Sequence, residues 1–216
     1  MNGKILVMTA VDAERDAVLR GLKGDDRFEL KVAGVGPVAA AISTTTELTS
    51  GEYRLVISAG IAGGFEGRAE IGDVVVATEI VAADLGVETP EGFSSVDELG
   101  FGTSRVQADK PSTDRAVSAL KAAGIAVSYG PIVTVSTATG TAATAARLAD
   151  RVPGVVAEGM EGYGVAAAAH AKGIPALEIR AISNRVGPRD RSAWRIGDAL
   201  RSLEAAFDQL TEGLHL

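Results

Sequence analysis

Short, nearly continuous apolar runs alternate along this chain with stretches of helical periodicity. The runs Lys4–Thr9, Leu30–Val32, Leu55–Ser58, Asp73–Ala82, Val127–Thr134, Val155–Ala157 and Ala176–Ser183 have the composition of strands covered on both faces. Helices are predicted over Asp12–Gly21, Pro37–Thr49, Ser112–Ala123, Thr141–Ala149, Gly162–Ala171 and Ile196–Thr211. Pro37 suits a first helical turn, where its missing N–H costs nothing, and Ser112 and Thr141 suit N-caps. Gly124 and Gly173 follow Ala-rich helices, as left-handed C-caps do. Strands separated by helices predict an α/β fold, its mainly parallel sheet covered on both sides. The run at Asp73–Ala82 is long enough to bend into a neighbouring barrel-like layer. Residues 84–110 break the rhythm with turn formers around Phe93, Leu99 and Phe101, and read as a long loop able to cover a site. No internal repeat or linker interrupts the pattern, so one domain is expected across residues 1–216.

Composition narrows the function classes. The 216 residues are 46% hydrophobic but only 4% aromatic. A core of this kind depends on close backbone approach, and an oligomer interface would help it. A net charge of −7 and a pI near 4.9 argue against nucleic acid, because counterion release needs clustered Lys and Arg. No apolar run approaches the roughly 20 residues of a membrane span, and "KILVM" near the start reads as a strand rather than a signal peptide. The absence of Cys removes disulfides and thiolate metal sites. A soluble, cytoplasmic protein is expected.

In sheets of this kind ligands collect at the carboxyl ends of strands. Those ends carry "TAVDAE", "AGIAGG", "TVSTATG", "EGMEG" and "SNRVG", in which Glu14, Glu161 and Asn184 stand out. The stretch "SAGIAGGF", residues 58–65, reads as a Gly-rich loop whose backbone N–H groups approach a ligand, with Ile61 and Gly63 the contacting positions. It matches neither the phosphate-loop nor the dinucleotide pattern, and tight packing is an equal reading of it and of "AGVG" at 33–36. In "EGMEG" a carboxylate at a helix entry, Glu161, can accept hydrogen bonds from two vicinal hydroxyls. The plainer reading is that it complements the helix N-terminus, worth ~0.3–1 kcal/mol. Glu158 reads as exposed or structural. Asp12 is a candidate N-cap beside Glu14, whose own plain reading is a solvated helical charge.

Taken in order, the fragments "AVDAE", "AGVGPVAAA", "SAGIAGG", "IGDVVVA", "GMEG" and "RAISN" resemble the nucleoside phosphorylase and hydrolase superfamily. Its methylthioadenosine/S-adenosylhomocysteine nucleosidases and futalosine hydrolases are the most similar classes. The resemblance runs from Lys4 to about Phe207. It implies a three-layer α/β/α nucleoside phosphorylase-like fold with a central mixed, mainly parallel twisted sheet. It also implies N-glycosidic cleavage through an oxocarbenium-like transition state, with no cofactor. By the resemblance Glu14 orients and deprotonates the attacking water, and Glu161 grips the ribose 2′ and 3′ hydroxyls over Met160. Asn184 faces purine N7 and the 6-substituent, and Thr137, Ala138 and Thr139 line the base. The nucleosidases place a stacking aromatic there, and this chain has Ala138 instead.

An amide at position 184 has no proton to give away; it donates N–H bonds and accepts at oxygen. That suits a 6-oxopurine, whose N7 and O6 are both acceptors, whereas the adenine-cleaving relatives carry Asp there. Family phosphorylases carry Arg before the Gly-rich segment; Ser58 and Ile61 stand in its place, so a buried phosphate would lack a counter-charge and water is the expected nucleophile. The tail "NRVGPRDRSAW" carries Arg185, Arg189, Arg191 and Trp194, and resembles that of futalosine hydrolases. Futalosine bears an aromatic carboxylate on its 5′ extension, and Arg189 is the first candidate to hold it. Phe93 and Phe101 are candidates to cover the aromatic tail, with core or interface packing the plainer reading of each. His170 and His215 read as packed or exposed, and without a His/Cys cluster no metal is expected. The expectation is therefore a futalosine hydrolase of menaquinone biosynthesis, acting as a homo-oligomer. The alternatives are an adenine-releasing methylthioadenosine/S-adenosylhomocysteine nucleosidase and a catalytically silent purine-binding oligomer subunit.

Overall fold

The computed structural model describes residues 3–214. In chain order the elements are β1 (Lys4–Thr9), α1 (Asp12–Leu22), β2 (Phe28–Val32), α2 (Pro37–Ser50), β3 (Tyr53–Gly64), β4 (Val74–Ala82), β5 (Gly86–Thr89) and β6 (Gly92–Ser95). They continue with β7 (Arg105–Gln107), α3 (Lys110–Ala122), β8 (Val127–Thr134), α4 (Ala142–Arg151), β9 (Ala157–Gly159), α5 (Gly162–Ala171), β10 (Ala176–Arg185) and α6 (Ile196–Gly213). Among the described residues eight strands form one mixed sheet, and β5 and β6 form a separate hairpin.

The apolar runs become strands buried on both faces. Ile5 to Met8 of β1 are all at most 1% exposed, because helices cover each side of the sheet. β1 pairs in parallel with β2 and β3, β3 with β10, β4 with β8, and β8 with β9. Antiparallel pairings of β10 with β4 and of β3 with β9 close the far half into a ring, β3–β10–β4–β8–β9 and back to β3. The long β3 makes this possible. Its first half lies beside β1, and its last two residues, Gly63 and Gly64, reach β9. α1 and α3 pack with α6 on one side of the sheet, and α2 packs with α5 on the other. Small residues bring the second pair close: a Cβ on Gly164 of α5 would stand 2.1 Å from the Pro37 carbonyl oxygen of α2. α4 drives Leu148 into a smaller second core with Phe65, Val133, Val155 and Val186.

Several local expectations change. "SAGIAGGF" is not a loop: residues 58–64 continue β3, paired with β10 along this stretch and with β9 at Gly63 and Gly64. The long loop at 84–110 contains the β5–β6 hairpin and β7, which adds antiparallel to β4. The strand expected at Val155–Ala157 lies at Ala157–Gly159. α3 starts earlier than Ser112, because Asp109 is the N-cap and its carboxylate accepts from the Ser112 N–H; Pro111 sits inside the first turn. Asp12 is helical rather than a cap, and pairs with Arg15 at 2.6 Å. Thr141 caps α4 as expected, accepting from Thr144 N–H at 3.1 Å.

Candidate active site

Glu14 is built into the junction of β1, α1 and β3. Val11 precedes α1 in an extended conformation and has no side-chain oxygen with which to cap it. Glu14 turns back instead. Its Oε2 accepts from the N–H groups of Ala10 at 2.9 Å and Val11 at 3.3 Å, and its Oε1 from the Ile61 N–H of β3 at 2.8 Å. A helical carboxylate that would ordinarily be solvated is thereby 4% exposed. Burial pushes its pKa up, opposed by Arg180 and by two of these N–H groups and reinforced by Glu161.

Arg180 of β10 is the centre of the arrangement and is itself 1% exposed. Its Nε donates to Glu178 Oε1 at 2.8 Å, and its Nη2 lies 3.2 Å from both Glu161 Oε2 and Ser58 Oγ. Burial acts to lower the guanidinium pKa, but Glu178, Glu161 and Glu14 together raise it, so the group is a permanent cation. Glu161, at the entry of α5, also accepts from the Gly36 N–H at 3.1 Å, which ties the "AGVG" turn to the same point. Neither Glu14 nor Glu161 follows its plain reading as a solvated charge or a simple dipole partner. Met160 sits beside it, half-buried.

Space for this cluster comes from absent side chains. A Cβ on Gly60 would stand 2.5 Å from Glu14 Oε1 and 2.8 Å from Arg180 Nη1; one on Gly162 would stand 2.1 Å from Glu178 Oε2. Gly60 lies opposite Arg180 in the β3–β10 register, which is why glycine interrupts an otherwise branched apolar strand.

Asn184 lies four residues beyond Arg180, about 13 Å along the same strand. It is inside β10 rather than in the loop after it, at an irregularity in the register, and faces Gly63. The Ser183 hydroxyl reaches its Oδ1 at 2.8 Å, and its Nδ2 donates to the Arg185 carbonyl at 3.0 Å. The amide therefore keeps its second N–H free to donate. Thr137 and Ala138 are exposed, and Thr139 is half-buried. This segment is pinned at both ends. The Ser136 N–H donates to Asp84 at 2.7 Å, while Glu158 accepts from the Thr139 N–H at 2.8 Å and its hydroxyl at 2.5 Å. Glu158 is thus buried and structural, not exposed, and burial raises its pKa against those Thr139 bonds.

Arg189 belongs to the rim. Its N–H donates to the Gly140 carbonyl at 3.1 Å, joining the tail to the 136–140 segment, and its exposed guanidinium lies 5.2 Å over Trp194. Arg185 turns outward to Glu66 and Glu70. Phe93 lies 3.5 Å beneath the Arg151 guanidinium, and Phe101 is 80% exposed. His170 is exposed, and His215 lies outside the described residues. Among the described residues no group of His, Asp or Glu is arranged to hold a metal ion, and no helix is long and apolar enough to cross a membrane.

The model of the phosphorylase superfamily matches residues 11–214. The chain belongs to the phosphorylase superfamily. Within it, the chain is 48% identical to the futalosine hydrolase of Streptomyces coelicolor, over 95% of this chain and 94% of that one. It is 47% identical to that of Acidothermus cellulolyticus, over 97% and 91%. In fold it superposes on futalosine hydrolase of Helicobacter pylori with a TM-score of 0.86, at 16% identity over 98% of both chains. The mixed α/β sheet with its covering helices is that of the superfamily.

The structure brings Glu14, Ile61, Met160 and Glu161 together and places Gly63 and Asn184 farther along the β3–β10 seam. Thr137, Ala138, Thr139 and Arg189 flank that end. Sequence reading missed Arg180 and Glu178, although a signal was present. Two opposite charges two residues apart in an apolar strand share one face, and on a strand buried on both sides they must face each other or a ligand.

Proposed function

We propose that this chain is a futalosine hydrolase, cleaving the N-glycosidic bond to release hypoxanthine and dehypoxanthine futalosine as a step of menaquinone biosynthesis. Its 48% identity to a futalosine hydrolase over nearly the whole chain supports the reaction class. The observation that carries the choice of base is the orientation of Asn184. With Oδ1 engaged by the Ser183 hydroxyl, the amide offers an N–H, which complements the acceptors N7 and O6 of a 6-oxopurine.

In this reading a water attacks C1′ of the ribosyl group while the bond from C1′ to the base breaks. Glu14 takes the proton of the water, and the electron pair of the broken bond leaves with the purine. The N–H of Asn184 steadies the charge that spreads onto N7 and O6, a contribution of the order of 10²–10³-fold for a fixed donor facing developing negative charge, and the departed purine anion takes its proton from solvent. Glu161 holds the ribose hydroxyls over Met160. Thr137, Ala138 and Thr139 line the base together with the backbone at Ile61 and Gly63. Arg180, between the two carboxylates, keeps them in one place and limits their repulsion. Ser58 is already occupied by Arg180, and Arg180, the cation beside Glu14, is itself engaged by Glu178 and Glu161, which favours hydrolysis over phosphorolysis. Arg189 is proposed to meet the carboxylate of the 5′ extension.

The reading places the enzyme in the cytoplasm, with the whole chain acting as one domain within a homo-oligomer. Val38 and Ile42, one turn apart on α2, are 72% and 64% exposed, and Val35 beside them is 58% exposed. Such a stripe next to the Gly36 turn suits burial against a second copy. The deciding experiment incubates the protein with futalosine, inosine, methylthioadenosine and aminodeoxyfutalosine and identifies the freed base by chromatography. Hypoxanthine from futalosine is expected, with no acceleration by phosphate. Release of adenine in preference would replace the reading with a methylthioadenosine nucleosidase.

A further inference from the structure

Glu178 is completely buried, yet the reaction proposed above gives it no task. Its Oε1 accepts from Arg180 Nε at 2.8 Å, and its Oε2 has no hydrogen-bond partner. A half-satisfied buried carboxylate costs stability. The fold nevertheless accommodates it, because Gly162 leaves room where any side chain would collide with Oε2. Burial pushes its pKa up and Glu161 adds to that, while the charge of Arg180 and the hydrogen bond from it act in the opposite direction to hold a carboxylate there. Arg180 on the same strand faces three carboxylates: Glu178 itself, Glu161 from the entry of α5 and Glu14 from α1. β3 presents Ser58 directly across from Glu178 in the register and shares the Arg180 Nη2.

A permanently charged guanidinium beside Glu14 favours the ionised carboxylate and so weakens it as a base. A full counter-charge on the far side of the guanidinium reverses much of that effect. We propose that Glu178 is a positioning residue that neutralises Arg180 and thereby leaves Glu14 basic enough to accept the proton of the attacking water. A simple strut would need only the hydrogen bond to Nε, which an amide oxygen in the same place supplies. The proposed role needs the charge as well. The inference rests on the hydrolytic reading for its catalytic meaning, but its electrostatic content stands apart from turnover.

Glu178→Gln keeps the shape and the acceptor while removing the charge. In protein labelled with ¹³C at glutamate carboxyls, the Glu14 signal, assigned by its loss in Glu14→Gln, is titrated in the native chain and in Glu178→Gln. The pH profile of kcat/KM for futalosine is recorded alongside. The Glu14 titration and the acidic limb of the profile are expected to move to lower pH by about one unit. A loss of about tenfold in kcat/KM on the plateau is expected with it, a fraction of what a general base contributes. A Glu14 titration that stays in place, or a loss of rate with an unmoved acidic limb, overturns the proposal in favour of a strut. If the native protein does not cleave futalosine, the carboxyl titrations still decide the electrostatic claim while the hydrolytic reading fails separately. If the variant does not fold, the native Glu178 signal, assigned through labelled Arg180, decides alone. It is expected to be ionised at neutral pH, and a protonated Glu178 there overturns the proposal.

Discussion

Gly60→Ala tests the site by a single methyl group. Gly60 has an ordinary extended backbone, so alanine brings no conformational penalty of its own and acts only through contact. The added Cβ would stand 2.5 Å from Glu14 Oε1, 2.9 Å from Glu14 Cδ and 2.8 Å from Arg180 Nη1. Ordinary contact begins near 3.4 Å, so the carboxylate oxygen must retreat by roughly 0.9 Å. Glu14 is not free to do so, because the Ile61 N–H at 2.8 Å and the Ala10 N–H at 2.9 Å hold its two oxygens from different elements. Giving up the Ile61 bond alone costs about 1.5–3 kcal/mol as a charge-assisted hydrogen bond, and overpacking of a core typically costs about 1–3 kcal/mol. A base misplaced by about 1 Å loses roughly 10²-fold in rate. The expected result is therefore a kcat for hypoxanthine release down about 10²-fold, with a loss of a few kcal/mol in urea denaturation. Gly197→Ala is the control, since the nearest atom to its Cβ would be Arg201 Nη1 at 3.6 Å. It lies in α6, and alanine there is expected to be neutral or to stabilise by up to ~1 kcal/mol. A Gly60→Ala enzyme with kcat within twofold of the native value would refute the placement of Glu14 as the reacting base.

Three further outcomes follow from the same geometry. Asn184→Asp removes the N–H donor and presents acceptors to N7 and O6, so the preference for inosine over adenosine is expected to fall at least ~10-fold in the ratio of kcat/KM; an unchanged ratio would show that position 184 does not read the base. Glu161→Gln weakens a charged grip on the ribose hydroxyls worth about 1.5–3 kcal/mol, and kcat/KM for futalosine is expected to drop by about 10–10²-fold, measured against a deoxyribosyl substrate for which the loss should be smaller. Glu158→Gln changes the pH dependence of stability. Burial holds the Glu158 carboxyl above its ordinary 4.5, so its contribution is fully present below that pH and is lost as pH rises through the folded-state value. Glutamine does not titrate, so the variant should gain stability relative to the native chain as the pH rises from 4.5 toward neutrality; a flat difference in urea denaturation would refute the assignment.

The sheet was legible in the sequence because its strands are buried on both faces, and apolar runs such as "KILVM" and "VVVA" leave little choice of structure. Helix starts were less so. Asp109 displaced Ser112 as a cap, and Val11 occupies a capping position for which it has no oxygen, because Glu14 supplies one from inside the helix. The glycines at 60, 63 and 64 misled for a related reason. Read locally, they are turn formers; in the fold they are strand residues, and their missing side chains make room for Glu14 and Arg180 at Gly60, for Val186 and Asn184 at Gly63, and for the Ala69 carbonyl and Ile182 at Gly64. A local rule cannot see a side chain arriving from a distant part of the chain, as Glu14 does from α1 and Arg180 and Asn184 do from β10. The same limit explains Glu178 and Arg180. Each alone breaks an apolar strand and reads as an error in the pattern. Together, on one face of a strand with no solvent on either side, they pair with each other, and the donors that pairing leaves on Arg180 draw in Glu161 and Glu14 from two other elements. A guanidinium left with no counter-charge in that setting would be strongly destabilising, which is why Arg180 is buried only where carboxylates from three elements meet it.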